Sequence, residues 1–274
     1  MLFVSAENVD RFAKAIASEA DLVCIDLEDA VHPDLKTIAR SNAIAWIENI
    51  QSSSDFKAKI ALRMNGIKTI DGLEDVLAIK ESNVKLDWLL LPKTENESEV
   101  QCVCEWIGDK FSHLSALLET PLGIQNSAAI AKSSSQLGAL MLGGADLSVE
   151  LNSQFNWDAL LLARGQIVMS AKAAKKQAWD VPHVDLSNLD ELAKETRMAL
   201  SLGFDCKTAI HPKQVSIIHN AHKPTAEQLA WAQLLVEAVP GGQGSGAFLY
   251  RGRMVDAPLL QKARRIVDIA SRTY

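Results

Sequence analysis

The chain has 274 residues, 48% of them hydrophobic and 23% charged, an ordinary globular composition with enough apolar material for a large core. A net charge of −6 without any polybasic run excludes a general nucleic-acid binder and a protein held on an anionic membrane surface. No apolar run approaches the ~18–20 residues that span a bilayer, and the start lacks a basic segment followed by a long apolar one, so the expectation is a cytoplasmic protein.

Short apolar runs recur along the chain: LFV (2–4), LVCIDL (22–27), KIALRM (59–64), WLLLP (88–92), LSALLE (114–119), ALMLGG (139–144), WDVPHV (179–184) and KTAIH (207–211). They are continuous rather than alternating, which suits parallel strands buried on both faces. Helix-like segments follow at 8–19, 34–48, 71–81, 95–109, 126–133, 157–176, 188–202 and 213–222. The first carries Val9, Phe12, Ala13, Ile16 and Ala17 on one face, with Asn8 as its expected N-cap. Eight strand–helix units predict a (β/α)8 TIM barrel over residues 1–222. A doubly wound open sheet is the alternative, but no G-x-G-x-x-G follows the first strand.

Residues 223–274 read as a C-terminal arm or lid: a helix at 225–239, a flexible Gly-rich hinge PGGQGSGA (240–247), RGRMVDAP (251–258), and an amphipathic helix from Leu259 to Ser271. The segments QSSSD (51–55) and SSS (133–135) read as surface loops. Cys24, Cys102, Cys104 and Cys206 form no C-x-x-C pair and read as thiols in a reducing compartment. The six tryptophans form no stripe and read as core or interface.

In a barrel the chemistry sits at the C-terminal ends of the strands. There the sequence places Asp26, Glu28 and Asp29 after the second run, Arg63 and Asn65 after the third, Pro92-Lys93, Glu119, Asp146 and His211 after later ones. Glu119 and Asp146 follow consecutive apolar runs and are a natural pair for a hard cation such as Mg²⁺, which accepts one or two protein carboxylates. Equally, each acid reads as a cap of the helix that follows it. Arg63 lies in a buried run, LRMN, so it needs an anion: a substrate carboxylate or enolate, a structural partner in Glu28 or Asp29, or both. His211 reads as hydrogen-bonded packing before it reads as a base, and His219 and His222 as a solvated helix face.

The motifs IDLEDAV, RMNG, LLPK, LLETPLG, LGGADL, GFDCKTAIHPKQV and GRMVDAP occur in one order from Leu2 to about Arg265. Together they resemble the citrate lyase beta-subunit-like family of the HpcH/HpaI aldolase superfamily, which includes citramalyl-CoA and malyl-CoA lyases. The resemblance implies a TIM barrel with a C-terminal arm, Mg²⁺ dependence, and cleavage or formation of a carbon–carbon bond in a hydroxyacyl-CoA thioester, giving a keto acid and acetyl-CoA. It implies that Glu119 and Asp146 hold the metal, that Arg63 binds substrate beside Glu28 and Asp29, and that Asp256 reaches a neighbouring subunit's site as an acid/base in a homotrimer. Where such relatives begin with an LFVPG-N-R-P-like stretch, this chain reads LFVSAENVDRF. That departure bears on the acyl carrier: CoA, an acyl-carrier protein's prosthetic arm, or neither. Beside the lyase stand three further readings: a CoA-independent hydroxy-keto-acid aldolase, a malyl-CoA thioesterase, and a beta-like subunit of a larger citrate lyase complex.

Overall fold

A computed structural model describes residues 1–52, 58–238, 248–250 and 253–271. In chain order the elements are β1 (Leu2–Ser5), α1 (Asp10–Ile16), β2 (Val23–Asp26), α2 (Lys36–Gln51), β3 (Ile60–Arg63), α3 (Ile70–Glu81), β4 (Leu86–Leu91), α4 (Glu97–Ile107), β5 (Phe111–Leu118), α5 (Pro121–Gln125), α6 (Ser127–Ile130), β6 (Leu137–Leu142), α7 (Gly144–Glu150), α8 (Leu161–Ala173), β7 (Gln177–Asp180), α9 (Leu189–Leu202), β8 (Cys206–Lys207), α10 (Lys213–His222), α11 (Ala226–Glu237), β9 (Phe248–Tyr250), β10 (Arg253–Val255) and α12 (Ala257–Ser271). The chain divides into two compact units, Met1–Ile217 and Ile218–Tyr274.

In the first unit, β1 to β8 form one parallel sheet in strict chain order. Past β8 the chain returns to the first strand: Ala209 bridges Leu2, Phe3 N–H donates to the Ala209 carbonyl at 2.9 Å, and Ala209 N–H donates to the Met1 carbonyl at 2.8 Å. The sheet therefore closes, and the fold is the (β/α)8 barrel rather than an open sheet.

The barrel interior is filled by Cys24, Ala61, Leu90, Leu117, Ala139, Met141 and Trp179, with Trp88 and Cys206 packed against them. Alternate strand residues, Ile25, Leu62, Leu89 and Leu140, are just as buried. Burial on both faces is the physical reason these strands read as unbroken apolar runs. The Trp88 ring lies 4.5 Å from that of Trp179 and 4.8 Å from that of His113. It occupies space beside Gly138, where a Cβ would fall 2.6 Å from the indole.

Outside the sheet, a buried ionic network ties β7 and β8 to the helices. Asp180 accepts from Arg164 Nε at 2.9 Å and from Lys207 Nζ at 2.8 Å, and Glu195 lies 3.5 Å from the same ammonium. Charges this deeply buried persist only when paired and hydrogen-bonded.

Local differences from the sequence expectations have local causes. The expected helix at 126–133 is two short ones, because Thr120 caps a turn that starts at Pro121. The strand at 139–144 ends at Leu142, and the Gly-Gly pair opens α7 at Gly144, ahead of Asp146 rather than after it. Asn8 does not cap α1; Val9 stands there without a side-chain hydrogen bond. The segments 53–57, 239–247, 251–252 and 272–274, which include the Gly-rich hinge and most of the 51–55 loop, lie outside the described residues.

The second unit has its own core of Ala232, Leu235, Val255, Leu260 and Ala263, joined by Trp231, Leu259 and Ile266. Its α11 opens with a capping box in which Thr225 and Gln228 satisfy each other's backbone N–H, and β9 and β10 pair as an antiparallel ribbon. Among the described residues no helix is long and apolar enough to cross a membrane.

Candidate active site

The register of the sheet brings the first elements of the site together. Asp26 in β2 is the Cα partner of Arg63 in β3, and both side chains stand at the C-terminal end of the barrel. Arg63 donates through Nε to Asp26 Oδ1 at 2.7 Å and through Nη2 to Oδ2 at 2.6 Å, a two-pronged pair. Its Nη1 lies 2.9 Å from Glu28 Oε2 and 3.6 Å from Asp29 Oδ2. The Phe3 ring stacks at 5.1 Å from the guanidinium carbon. Burial alone would lower the guanidinium's affinity for its proton, but Asp26 and then Glu28 hold it well above its ordinary range.

Glu119 follows the last residue of β5 and is not a helix cap. That duty falls to Thr120, whose hydroxyl accepts from Gly123 N–H at 3.1 Å. Glu119 is 3% exposed, and its Oε1 accepts the backbone N–H of Lys93 at 2.7 Å. Burial, reinforced by the charges of Glu28 and Asp146 against the opposing Arg63, pushes its carboxyl up to about 8. Gly143, just after β6, makes room for it: a Cβ there would lie 2.3 Å from Glu119 Cβ and 2.4 Å from Oε2. Asp146 sits in the first turn of α7, half-exposed, and likewise does not cap its helix.

Lys93 completes the cluster. Its Nζ donates to Glu28 Oε1 at 2.9 Å and lies 3.4 Å from Asp146 Oδ2 and 3.5 Å from Asp29 Oδ1. Its backbone is left-handed, φ 51°, a region that few side chains adopt without strain. Glu28's carboxyl is raised, first by burial, and its Oε2 accepts no hydrogen bond. The loop carrying Glu28 is held from behind by Lys36, whose ammonium donates to the carbonyls of Leu27 and Glu28 and to Asn65 Oδ1; Asn65 in turn is clamped by buried Asp75.

Part of this cluster lines a cavity of about 850 Å³ walled by Phe3, Arg63, Glu119, Asp146, Phe155 and His211, with Arg11 and Lys14 also among its lining residues. His211 Nδ1 accepts Lys213 N–H at 3.1 Å, a turn-stabilising bond. Five carboxylates meet two cations here, which leaves three negative charges when all are ionised. No three or more His, Cys, Asp or Glu side chains among the described residues close into a metal cage. Two carboxylates beside an open cavity instead fit a hard divalent cation that completes its octahedron with water and substrate oxygens.

The structure thus brings together Glu28, Asp29, Arg63, Glu119 and Asp146. Asp256 lies in the second unit, where its Oδ1 accepts Leu259 N–H at 3.1 Å and caps α12. The sequence places Asp26 and Lys93 at the same strand ends but gives neither a role: the partner of Asp26 depends on strand register, and the turn conformation of Lys93 is not revealed by spacing. The signal for Lys93 was the cation directly after the apolar run LLLP.

Comparison with known proteins places this geometry. Residues 1–212 match the HpcH/HpaI aldolase/citrate lyase model, and residues 157–273 match a C–C bond lyase of the TIM-barrel fold. Mitochondrial citramalyl-CoA lyase of Rattus norvegicus is 30% identical, over 99% of this chain and 85% of its own. Citrate lyase subunit beta of Haemophilus influenzae is 29% identical, over 98% and 96%. Among solved structures, CitE from Mycobacterium tuberculosis in complex with magnesium, acetoacetate and coenzyme A superposes with a TM-score of 0.85 at 30% identity, over 99% of this chain and 97% of that one.

Proposed function

This chain belongs to the HpcH/HpaI aldolase/citrate lyase family, and from that premise we propose that it is a Mg²⁺-dependent carbon–carbon lyase acting on a hydroxyacyl-CoA thioester such as citramalyl-CoA, malyl-CoA or citryl-CoA. The observation that carries the reading is the convergence of Arg63, Glu119 and Asp146 on one cavity at the C-terminal end of the barrel. Relatives are named citramalyl-CoA lyase and citrate lyase subunit beta, and a structural neighbour is complexed with magnesium, acetoacetate and coenzyme A.

Glu119 and Asp146 would hold the metal. Bound there, Mg²⁺ supplies Lewis-acid polarisation of substrate oxygens, worth several kcal/mol of charge stabilisation. The remaining work falls to the chain. Asp26 and Phe3 fix the Arg63 fork so that its Nη1 edge, which stands near Glu28 and Asp29, meets the negative charge that develops on the substrate. Cleavage removes the hydroxyl proton, turns that carbon into a carbonyl and leaves the electron pair on the thioester as an enolate. Asp256 is assigned the acid/base role, taking the hydroxyl proton and returning it to the enolate carbon, from the C-terminal arm of a neighbouring subunit in a homotrimer. Arg11 and Lys14 on the cavity wall are suited to the anionic groups of a thioester carrier.

The test is incubation of the purified protein and Mg²⁺ with citramalyl-, malyl- and citryl-CoA, with mass spectrometry of products. Acetyl-CoA together with pyruvate, glyoxylate or oxaloacetate supports the reading. Free CoA with an intact hydroxy acid identifies a thioesterase, and cleavage only of a CoA-free hydroxy-keto acid identifies an aldolase. Strict need for a carrier protein identifies a subunit of a larger complex.

A further inference from the structure

Lys93 stands where the metal site, the acid loop and the strained turn after β4 meet, and each of its parts does something different. The main chain acts on Glu119: in its left-handed conformation the Lys93 N–H points at Oε1, 2.7 Å away. Glycine would adopt that conformation without strain, yet the position carries a long cationic stem. The ammonium acts on the other acids. It is closest to Glu28 at 2.9 Å, where it donates a hydrogen bond, and looser on Asp146 at 3.4 Å and Asp29 at 3.5 Å. Asp146 has no other ion-pair partner among the described residues.

We propose that Lys93 is a positioning residue that serves as the internal counter-cation of the metal pair: its N–H aims Glu119, and its ammonium competes with the divalent cation for Asp146. A cation that takes Asp146 releases one of the two looser contacts, because Glu28 and Asp29 retain the ammonium. The device holds four of the five carboxylates together, Glu28, Asp29, Glu119 and Asp146, and sets metal affinity below what those acids alone would give. The inference rests on the reading of Glu119 and Asp146 as the metal ligands.

The experiment is calorimetric titration of chelator-treated, full-length protein with Mn²⁺ and Mg²⁺. The variants are Lys93→Met, Lys93→Gly, Lys93→Arg and Asp146→Asn, with circular dichroism to check folding. Lys93→Gly keeps the N–H and relieves the backbone strain, so it stays informative if Lys93→Met folds poorly. Both are expected to bind metal roughly tenfold tighter, the scale of one unit charge removed from a partly screened site. Lys93→Arg is expected to match the parent within about twofold. Equal or weaker binding in both Lys93→Met and Lys93→Gly, with binding still lost in Asp146→Asn, overturns the role of Lys93 alone. Parent-like binding in Asp146→Asn overturns the metal assignment and the inference with it.

Discussion

Glu119 shows how a single buried acid sets the chemistry. Its carboxyl sits at about 8 against an ordinary value near 4.5, first because burial penalises the charged form. A folded-state value above the unfolded one means that the native chain keeps a proton the unfolded chain gives up between those two values. Without metal, stability therefore falls as pH rises from about 4.5 to about 8, and this contribution is constant below that window. Glu28 is shifted the same way. Thermal unfolding in chelator should show the decline, and Glu119→Gln should flatten it; an unchanged slope would assign the effect to another group. In activity, Glu119→Ala and Asp146→Ala should each abolish metal-dependent cleavage of the thioester. Full turnover of either variant after exhaustive chelation would remove the pair from the metal site.

Between elements, the decisive quantities are register and close approach. Gly143 lets β6 pass beside Glu119, so Gly143→Ala forces a Cβ to within 2.3 Å of that side chain. Overpacking of this kind costs ~1–3 kcal/mol, and because the atom displaced belongs to the metal pair, calorimetry should show metal binding lost along with stability. The network between the barrel and its outer helices is a second case. Lys207→Met leaves Asp180 buried with Arg164 as its one remaining cation among the described residues, and removing one partner from a buried pair costs about 3–5 kcal/mol. Urea unfolding should record a loss of that size; a change under ~1 kcal/mol would mean that the network is neutral to stability. Gly143 lies in the LGGADL motif and Lys207 in GFDCKTAIHPKQV, but neither motif names the partner, because each residue acts on an atom more than twenty positions away.

At the scale of the whole molecule, the barrel carries the proposed metal ligands and the proposed anion-binding groups, while the proposed proton donor belongs to the second unit. Asp256→Asn should lower turnover by ~10²–10⁴-fold while metal affinity stays at the parent value. If arms serve neighbouring subunits, co-expressed Asp256→Asn and Glu119→Gln chains should regain activity that neither has alone, because some sites then receive an intact barrel and an intact arm. Mixed oligomers as inactive as the separate variants would place each arm over its own barrel.

The sequence by itself determined the barrel, since eight apolar runs buried on both faces and spaced by amphipathic segments leave few ways to satisfy their backbones. It also placed Arg63, Glu119 and Asp146 together at the C-terminal ends of the strands, the end where the proposed chemistry lies. Only the tertiary structure decided the partners. Asp26 rather than Glu28 or Asp29 makes the two-pronged pair with Arg63, because parallel register sets their Cα positions side by side. Thr120 rather than Glu119 caps α5, which frees the glutamate for the cavity. Lys93 enters among the acids because a left-handed turn after β4 swings it there. Strand pairing, turn handedness and close approach join residues separated by tens of positions, and no local pattern of apolar and charged residues encodes which of them will touch.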